Sequence, residues 1–316
     1  MKFTLKTFAF SVLFIFQNNI SQSQIQTKLQ DSISNWEKKN AVGFDISQIA
    51  FMNWNAGGNT SISGLLKGNF SRKYSNQNIK WLNELILRYG VNKQDGVELR
   101  KTDDAFQLNS TFGYRKDTVS NWYHSAKFNF NTQFTNGYSY PNTDKAISKP
   151  FAPAYLFLGI GAEYVNKEKK YSLYLSPLTQ KTTMVLDQTL ADQGSFGVDK
   201  ATYDADGNLI SKGKKSKNEL GALVSGIHKN EVYKNITLEN KLSLYSDYIN
   251  NFGNIDVDWQ MSVDLTVNEY VRANIGSHLL YDDDIKAKEE IDGKQVTLGP
   301  KVQLKQLLGV GLVYLF

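Results

Sequence analysis

From about Val42 to the C-terminus, apolar and polar residues alternate with period two in segments of roughly ten residues. Trp122, Ala126, Phe128, Phe130 and Phe134 share one face, and Ser125, Lys127, Asn129, Asn131 and Gln133 share the other. Ile255, Val257, Trp259, Met261, Val263, Leu265 and Val267 interleave with Asp256, Asp258, Gln260, Ser262, Asp264 and Thr266. Val302, Leu304, Leu308, Val310, Leu312, Tyr314 and Phe316 continue the pattern, with Gln306 the single exception. Such alternation sets one face of a strand in an apolar medium and the other in a polar one. A soluble antiparallel sheet produces it too, so the number and length of the segments must decide.

Twelve segments are legible, near 42–53, 61–73, 80–92, 105–115, 122–135, 155–165, 171–178, 219–229, 232–248, 255–267, 270–281 and 301–316. Most match the roughly 9–11 residues of a tilted membrane strand, whereas globular strands average about five or six. Connections after even-numbered segments are short (74–79, 116–121, 166–170, 230–231, 268–269), and most after odd-numbered ones are long (93–104, 136–154, 179–218, 282–300). Short turns at one end and long loops at the other mark outer-membrane barrels. Trp54, Trp81, Tyr89, Tyr114, Trp122, Tyr164, Tyr171, Tyr248, Tyr270 and Tyr281 recur near segment ends, where interfacial girdles lie. All five prolines fall outside segments or at their ends. The pattern predicts an all-β fold, a closed antiparallel transmembrane β-barrel of about 12 strands, with 10 or 14 as alternatives.

Composition narrows the classes. A mean hydropathy of −0.41 excludes a bundle of transmembrane helices. The absence of cysteine excludes disulfide scaffolds, thiolate zinc sites and cysteine nucleophiles. Lys2 and Lys6 precede an apolar run, Phe8 to Phe16, and Ser21-Gln22-Ser23 supplies small residues for cleavage before Gln24. Residues 1–23 therefore read as a signal peptide, 24–40 as a periplasmic segment and 41–316 as the barrel. Leu29, Ile33 and Trp36 stand at near-helical spacing, fitting a short amphipathic helix or a plug. Cleavage removes two lysines and no acid, lowering the formal charge from +5 to +3. That is too mild to imply a nucleic-acid partner.

The chain ends Gly309-Val310-Gly311-Leu312-Val313-Tyr314-Leu315-Phe316. Gly311, Tyr314 and Phe316 resemble the C-terminal signal of bacterial outer-membrane barrels, with Gly309 where a polar residue is usual. The resemblance implies the barrel-assembly machinery as a partner. Further stretches resemble an uncharacterised Gram-negative (Bacteroidota-type) outer-membrane barrel family catalogued as a domain of unknown function. They are 53–59 (Asn-Trp-Asn-Ala-Gly-Gly-Asn), 100–104 (Arg-Lys-Thr-Asp-Asp), 132–138 (Thr-Gln-Phe-Thr-Asn-Gly-Tyr), 176–179 (Ser-Pro-Leu-Thr) and 192–198 (Asp-Gln-Gly-Ser-Phe-Gly-Val). This likeness implies the compartment and the barrel but carries no activity, substrate or cofactor.

Candidate chemistry is sparse. His124 and His228 fall near periplasmic strand ends, where an amphipathic ring belongs. His278 lies on a polar face without Ser-His-Asp spacing. Asp204-Ala-Asp-Gly-Asn lacks the distal Glu of a calcium loop and reads as a hairpin tip. Asp282-Asp283-Asp284 reads as a solvated loop edge, with weak surface cation binding as the alternative, and Gly57-Gly58 as a turn. No catalytic, metal or cofactor site is expected, and the chain does not read as an enzyme.

Turning the polar faces inward gives a lumen lined by Glu239, Lys241, Asp256, Asp258, Asp264, Arg272, His278, Lys301 and Lys305. Opposite charges there either cancel across a narrow interior or line a pore for solutes. The leading expectation is a pore or transport-type barrel for small solutes, embedded in outer-membrane lipid. The alternative is a scaffold or surface-binding barrel with a side-chain-filled lumen. A membrane-lipid hydrolase or acyltransferase using His278 ranks behind both.

Overall fold

A computed structural model of the chain describes residues 35–49, 60–250, 252–291 and 294–316. Expectations for residues 1–34, and those for Trp54 and Gly57-Gly58, lie outside the described residues. The first five strands are β1 (Trp36–Ile49), β2 (Ser61–Ser75), β3 (Ile79–Gln94), β4 (Arg100–Tyr114) and β5 (Trp122–Thr132). A small hairpin, β6 (Gly137–Tyr138) and β7 (Ala146–Ser148), precedes β8 (Ala154–Asn166) and β9 (Tyr171–Met184). Helix α1 (Gln188–Asp192) and the hairpin β10 (Thr202–Tyr203) and β11 (Leu209–Ser211) follow. Next come β12 (Ser216–Tyr233), β13 (Ile236–Asp247), β14 (Asp256–Thr266) and β15 (Val271–Tyr281). A last hairpin, β16 (Lys286–Ile291) and β17 (Lys294–Pro300), leads to β18 (Gln303–Leu315).

Twelve of these strands close an antiparallel barrel in the order β1-β18-β15-β14-β13-β12-β9-β8-β5-β4-β3-β2. The other six form three two-stranded hairpins, all in connections at one end of the barrel. The short and long connections therefore segregate as the alternation predicts. Closure joins β18 to β1, with Phe44 opposite Leu312 and Asp45 opposite Gly311. It leaves the twelve-stranded sheet no free edge.

Several boundaries differ from the sequence reading: β4 begins at Arg100 and β9 runs on to Met184, beyond the segments read at 105–115 and 171–178. β1 begins at Trp36, five residues before the barrel start expected at 41, and Trp36 pairs with Tyr74 instead of extending a helical stripe. The turn expected at 230–231 falls at Lys234-Asn235, because β12 runs to Tyr233. Asn235 has φ +64° and supplies the left-handed residue a tight hairpin needs.

The outward faces are apolar. Val42, Phe44, Leu66, Leu108, Leu158, Val224, Leu242, Ile275, Leu308 and Leu312 are all exposed. Aromatic pairs flank this band. At the short-turn end, Trp36 stacks near Tyr74 and Trp81 (5.3 and 5.9 Å between ring centres), and Trp122 near Tyr164 (5.2 Å). At the long-loop end, Tyr89 meets Phe134 at 5.7 Å. Trp81 and Tyr89 are eight residues apart on β3, about 26 Å along the strand at ~3.3 Å per residue. At a tilt of about 40° this spans roughly 20 Å along the barrel axis, close to the ~25 Å apolar band of transmembrane barrels.

Candidate functional site in the charged lumen

The inner face is fixed by its buried members, among them Asp45, Tyr123, Glu163, Tyr174, Lys181, Glu219, Tyr245 and Asp247. Strand register carries that face around the wall. Tyr245 stands opposite Asp256, Ser243 opposite Asp258, Lys241 opposite Gln260, Glu239 opposite Ser262 and Thr237 opposite Asp264. His278 follows opposite Gln260, and Arg272 opposite Thr266. Lys305 stands opposite His278. Eight of the nine lining residues read from the sequence share this face. Lys301 lies just before β18. His124 and His228 face outward, opposite Ala162 and Asn240 respectively.

Side chains from non-adjacent strands meet across the interior. Lys80 on β3 reaches Glu163 on β8 at 2.5 Å, with β4 and β5 between them in the wall. Lys127 reaches the other Glu163 oxygen at 3.3 Å. The ammonium of Lys80 also lies 4.3 Å from the ring centre of Tyr123, and that of Lys127 4.3 Å from Tyr174. Lys181 on β9 bridges Asp256 on β14 at 2.7 Å, with β12 and β13 between them in the wall. It also reaches Asp282, just after β15, at 3.0 Å, and Glu219 on the adjacent β12 at 3.7 Å. Lys305 on β18 reaches Asp103 on β4 at 2.8 Å, and Asp103 also takes Arg88 at 3.0 Å. Asp103, Glu163, Glu219, Asp256 and Asp282 thus each face at least one cation, the arrangement that makes ions tolerable away from bulk water.

Burial is uneven around the wall. Lys181, Glu219 and Glu163 expose 7% or less of their side chains. In contrast Asp258, His278, Lys241 and Lys305 expose 39–47%. His278 Nε2 lies 3.0 Å from Asp258 Oδ1, and Lys241 pairs with Glu239 at 2.6 Å. The β13–β18 side of the interior is therefore wetted, while the β8–β9–β12 side is packed.

The long-loop end carries a small cap. Ala152, Val185, Leu190, Ala191 and Val198 form an apolar cluster with Phe196 against it. Lys149 pairs with Asp187 at 2.6 Å, tying the 133–153 connection to the start of α1. Asp187 also accepts the Leu190 amide as the N-cap of α1. Asp192 accepts the Gln188 side chain and the Gly213 amide, both at 2.7 Å, which anchors the far end of the 185–215 loop. These bonds hold the carboxyls of Asp187, chiefly through Lys149, and of Asp192, chiefly through Gln188, below the usual carboxylate range. Asp204 accepts the amides of Asp206 and Asn208 at the β10–β11 tip, and Gly207 turns with φ +85°, as a hairpin requires.

The triple aspartate corrects the sequence reading. Asp282 is buried and bonded to Lys181, Asp283 accepts Asn254 at 2.7 Å, and Asp284 pairs with Lys217 at 2.5 Å. A solvated loop edge would face away from the barrel; this run faces into it. Of the lysines that neutralise the interior, the sequence pattern places Lys127 on a polar face, but it assigns neither Lys127 nor Lys80 or Lys181 to the lumen lining. Their one signal was a charged residue on the polar face of a long strand. Which acid each one meets depends on closure.

Residues 46–138 match the family model described as "Protein of unknown function (DUF3078)". The DUF3078 match covers three of the five stretches that carry the family resemblance, 53–59, 100–104 and 132–138. No curated protein sequence matches the chain. Similar solved structures include an outer membrane channel from Pseudomonas putida F1, at 13% identity and TM-score 0.41, covering 88% of this chain and 95% of that one. The translocator domain of autotransporter NalP from Neisseria meningitidis matches at 10% identity and TM-score 0.39, covering 90% of each chain. The NanC porin matches at 12% identity and TM-score 0.35, covering 87% of this chain and 98% of that one.

Proposed function

We propose that the chain is a non-enzymatic barrel of a bacterial outer membrane whose interior provides a narrow polar passage for small solutes. The membrane setting is supported by the apolar outer band between aromatic belts, which water would not stabilise on this scale. The passage is supported by one observation, the half-exposed row Lys241, Asp258, His278 and Lys305 on a face turned from lipid. A lining of both signs favours weak ion selectivity. Export through cleavage after residue 23 and delivery by the barrel-assembly machinery through Gly311, Tyr314 and Phe316 belong to the same reading. Mass spectrometry of the protein recovered from outer membranes tests the cleavage, with Gln24 expected at the N-terminus.

The cross-lumen pairs Lys80–Glu163, Lys181–Asp256 and Lys305–Asp103 favour a second reading, a filled barrel that works through its loop cap. Planar-bilayer recording on the purified protein separates the two. Discrete conductance steps are expected for a passage, and a silent bilayer containing folded protein would leave the filled barrel.

A further inference from the structure

We propose that the outer face of the barrel, at its short-turn end, binds the phosphate of an anionic phospholipid through Lys38 on β1 and Arg72 on β2. The inference rests on the membrane setting proposed above and not on whether the lumen conducts. Short turns face the periplasm in outer-membrane barrels, so the lipid belongs to the periplasmic leaflet. Both residues lie on the lipid-facing side, in step with the exposed Val42 and Phe44 on β1 and Leu66 on β2. Register sets Lys38 directly opposite Arg72. Like charges directly opposite on neighbouring strands repel, and an anion shared between them removes that repulsion.

No protein group supplies the anion. Among the described residues Lys38 has no partner and Arg72 bonds no carboxylate. The inward-facing neighbours differ: Lys39 and Lys73 both pair with Glu37, at 2.6 and 3.5 Å. Arg72 is half-buried, and its Nη1 donates to Asn40 Oδ1 at 2.8 Å and to the Ser71 carbonyl at 2.7 Å. Those bonds hold the guanidinium in place on the wall while leaving Nε and Nη2 for a ligand, and a guanidinium fork matches phosphate oxygens.

The surroundings fit a phospholipid better than a free anion. One pleat toward the short turns, Trp36, Tyr74 and Trp81 form a continuous aromatic row, and such belts sit at headgroup level. One pleat the other way, Phe70, Leu85 and Leu108 pair in a single row, an apolar track for acyl chains. The two cations therefore stand where a lipid phosphate lies, between headgroup water and hydrocarbon. No carboxylate bonded to either cation waits to receive an ethanolamine ammonium, so a net anionic headgroup suits the site better than a zwitterionic one.

The test is native mass spectrometry of the folded full-length barrel, delipidated in detergent and titrated with phosphatidylglycerol or phosphatidylethanolamine of the same acyl chains. One phosphatidylglycerol should be retained roughly fivefold more tightly than phosphatidylethanolamine. Lys38→Gln, which removes no bond within the described chain, should erase most of that preference, and Lys38→Gln with Arg72→Gln all of it. Lys169→Gln, in a short turn outside the row, should keep it. The heat-modifiable gel shift shows which variants remain folded. Equal retention of the two lipids, or the wild-type preference in folded Lys38→Gln, would overturn the proposal. So would displacement of the lipid by glycerol 3-phosphate at matching concentration, which would leave an anion site without a lipid. Protein that fails to enter vesicles would overturn the membrane setting together with the site, whereas insertion without lipid preference overturns the site alone.

Discussion

Gly311 on β18 stands opposite Asp45 on β1, and a Cβ at Gly311 would overlap the backbone of Phe44 and Asp45 at the seam that closes the barrel. Gly309, two residues earlier, would meet only the Asp45 side chain, its carboxylate oxygen at 2.8 Å. Backbone cannot yield where a side chain can rotate. Gly311→Ala is expected to cost about 1–3 kcal/mol through overpacking and Gly309→Ala distinctly less. The folded fraction on unheated gels should fall far more for Gly311→Ala. Equal loss at both positions would show that the seam relaxes.

Met261 pairs with Asn240 and Ser277 on the outer face, and Gln260 with Lys241 and His278 on the inner one. Arginine near the midplane of the lipid face costs roughly 2–4 kcal/mol. Met261→Arg should lower the urea midpoint of the barrel in lipid by that scale. Gln260→Arg should leave it nearly unchanged while altering conductance. A reversed order would place the lipid on the other face.

Lys181 exposes 5% of its side chain and neutralises Asp256 and Asp282, whereas Lys305 exposes 47% and pairs with Asp103, which keeps Arg88. Removing one partner of a buried pair costs about 3–5 kcal/mol, while exposed pairs contribute about 0–1 kcal/mol. Lys181→Met is expected to abolish most folding, and Lys305→Met to preserve it and shift ion selectivity toward cations. Refolding yield and reversal potential measure the two effects.

Asp187 and Asp192 hold the 185–215 loop with carboxyls whose folded pKa lies below the ordinary value. A depressed carboxyl pKa stabilises the folded loop above the unfolded pKa, about 3.9, and that contribution disappears as pH falls through the folded value. Pepsin should therefore spare the loop near pH 4.5 and cut it progressively as pH drops further. Asp192→Asn should open it to trypsin at Lys212 and Lys214 already at neutral pH. Unchanged protection in that variant would mean the apolar cluster around Leu190 alone retains the loop.

The period-two pattern determined the barrel class and the alternation of faces, because each side chain's medium repeats every second residue regardless of what lies across the lumen. Closure fixed the count at twelve among the 10, 12 or 14 strands the segments allowed. Asp258 and Met261 were therefore assignable to opposite faces from neighbours in the chain. Strand ends were less legible: β12 runs to Tyr233 because Asn235, not the 230–231 pair, takes the left-handed turn. Only closure decided which charges meet. Lys80 and Glu163 are 83 residues apart, and Lys181 and Asp282 101. Periodicity says that such residues point inward, but their distances depend on register summed around twelve strands. The same closure turned Asp282-Asp283-Asp284 from an apparent surface run into the acidic wall of the mouth, since the end of β15 lies beside the start of β14.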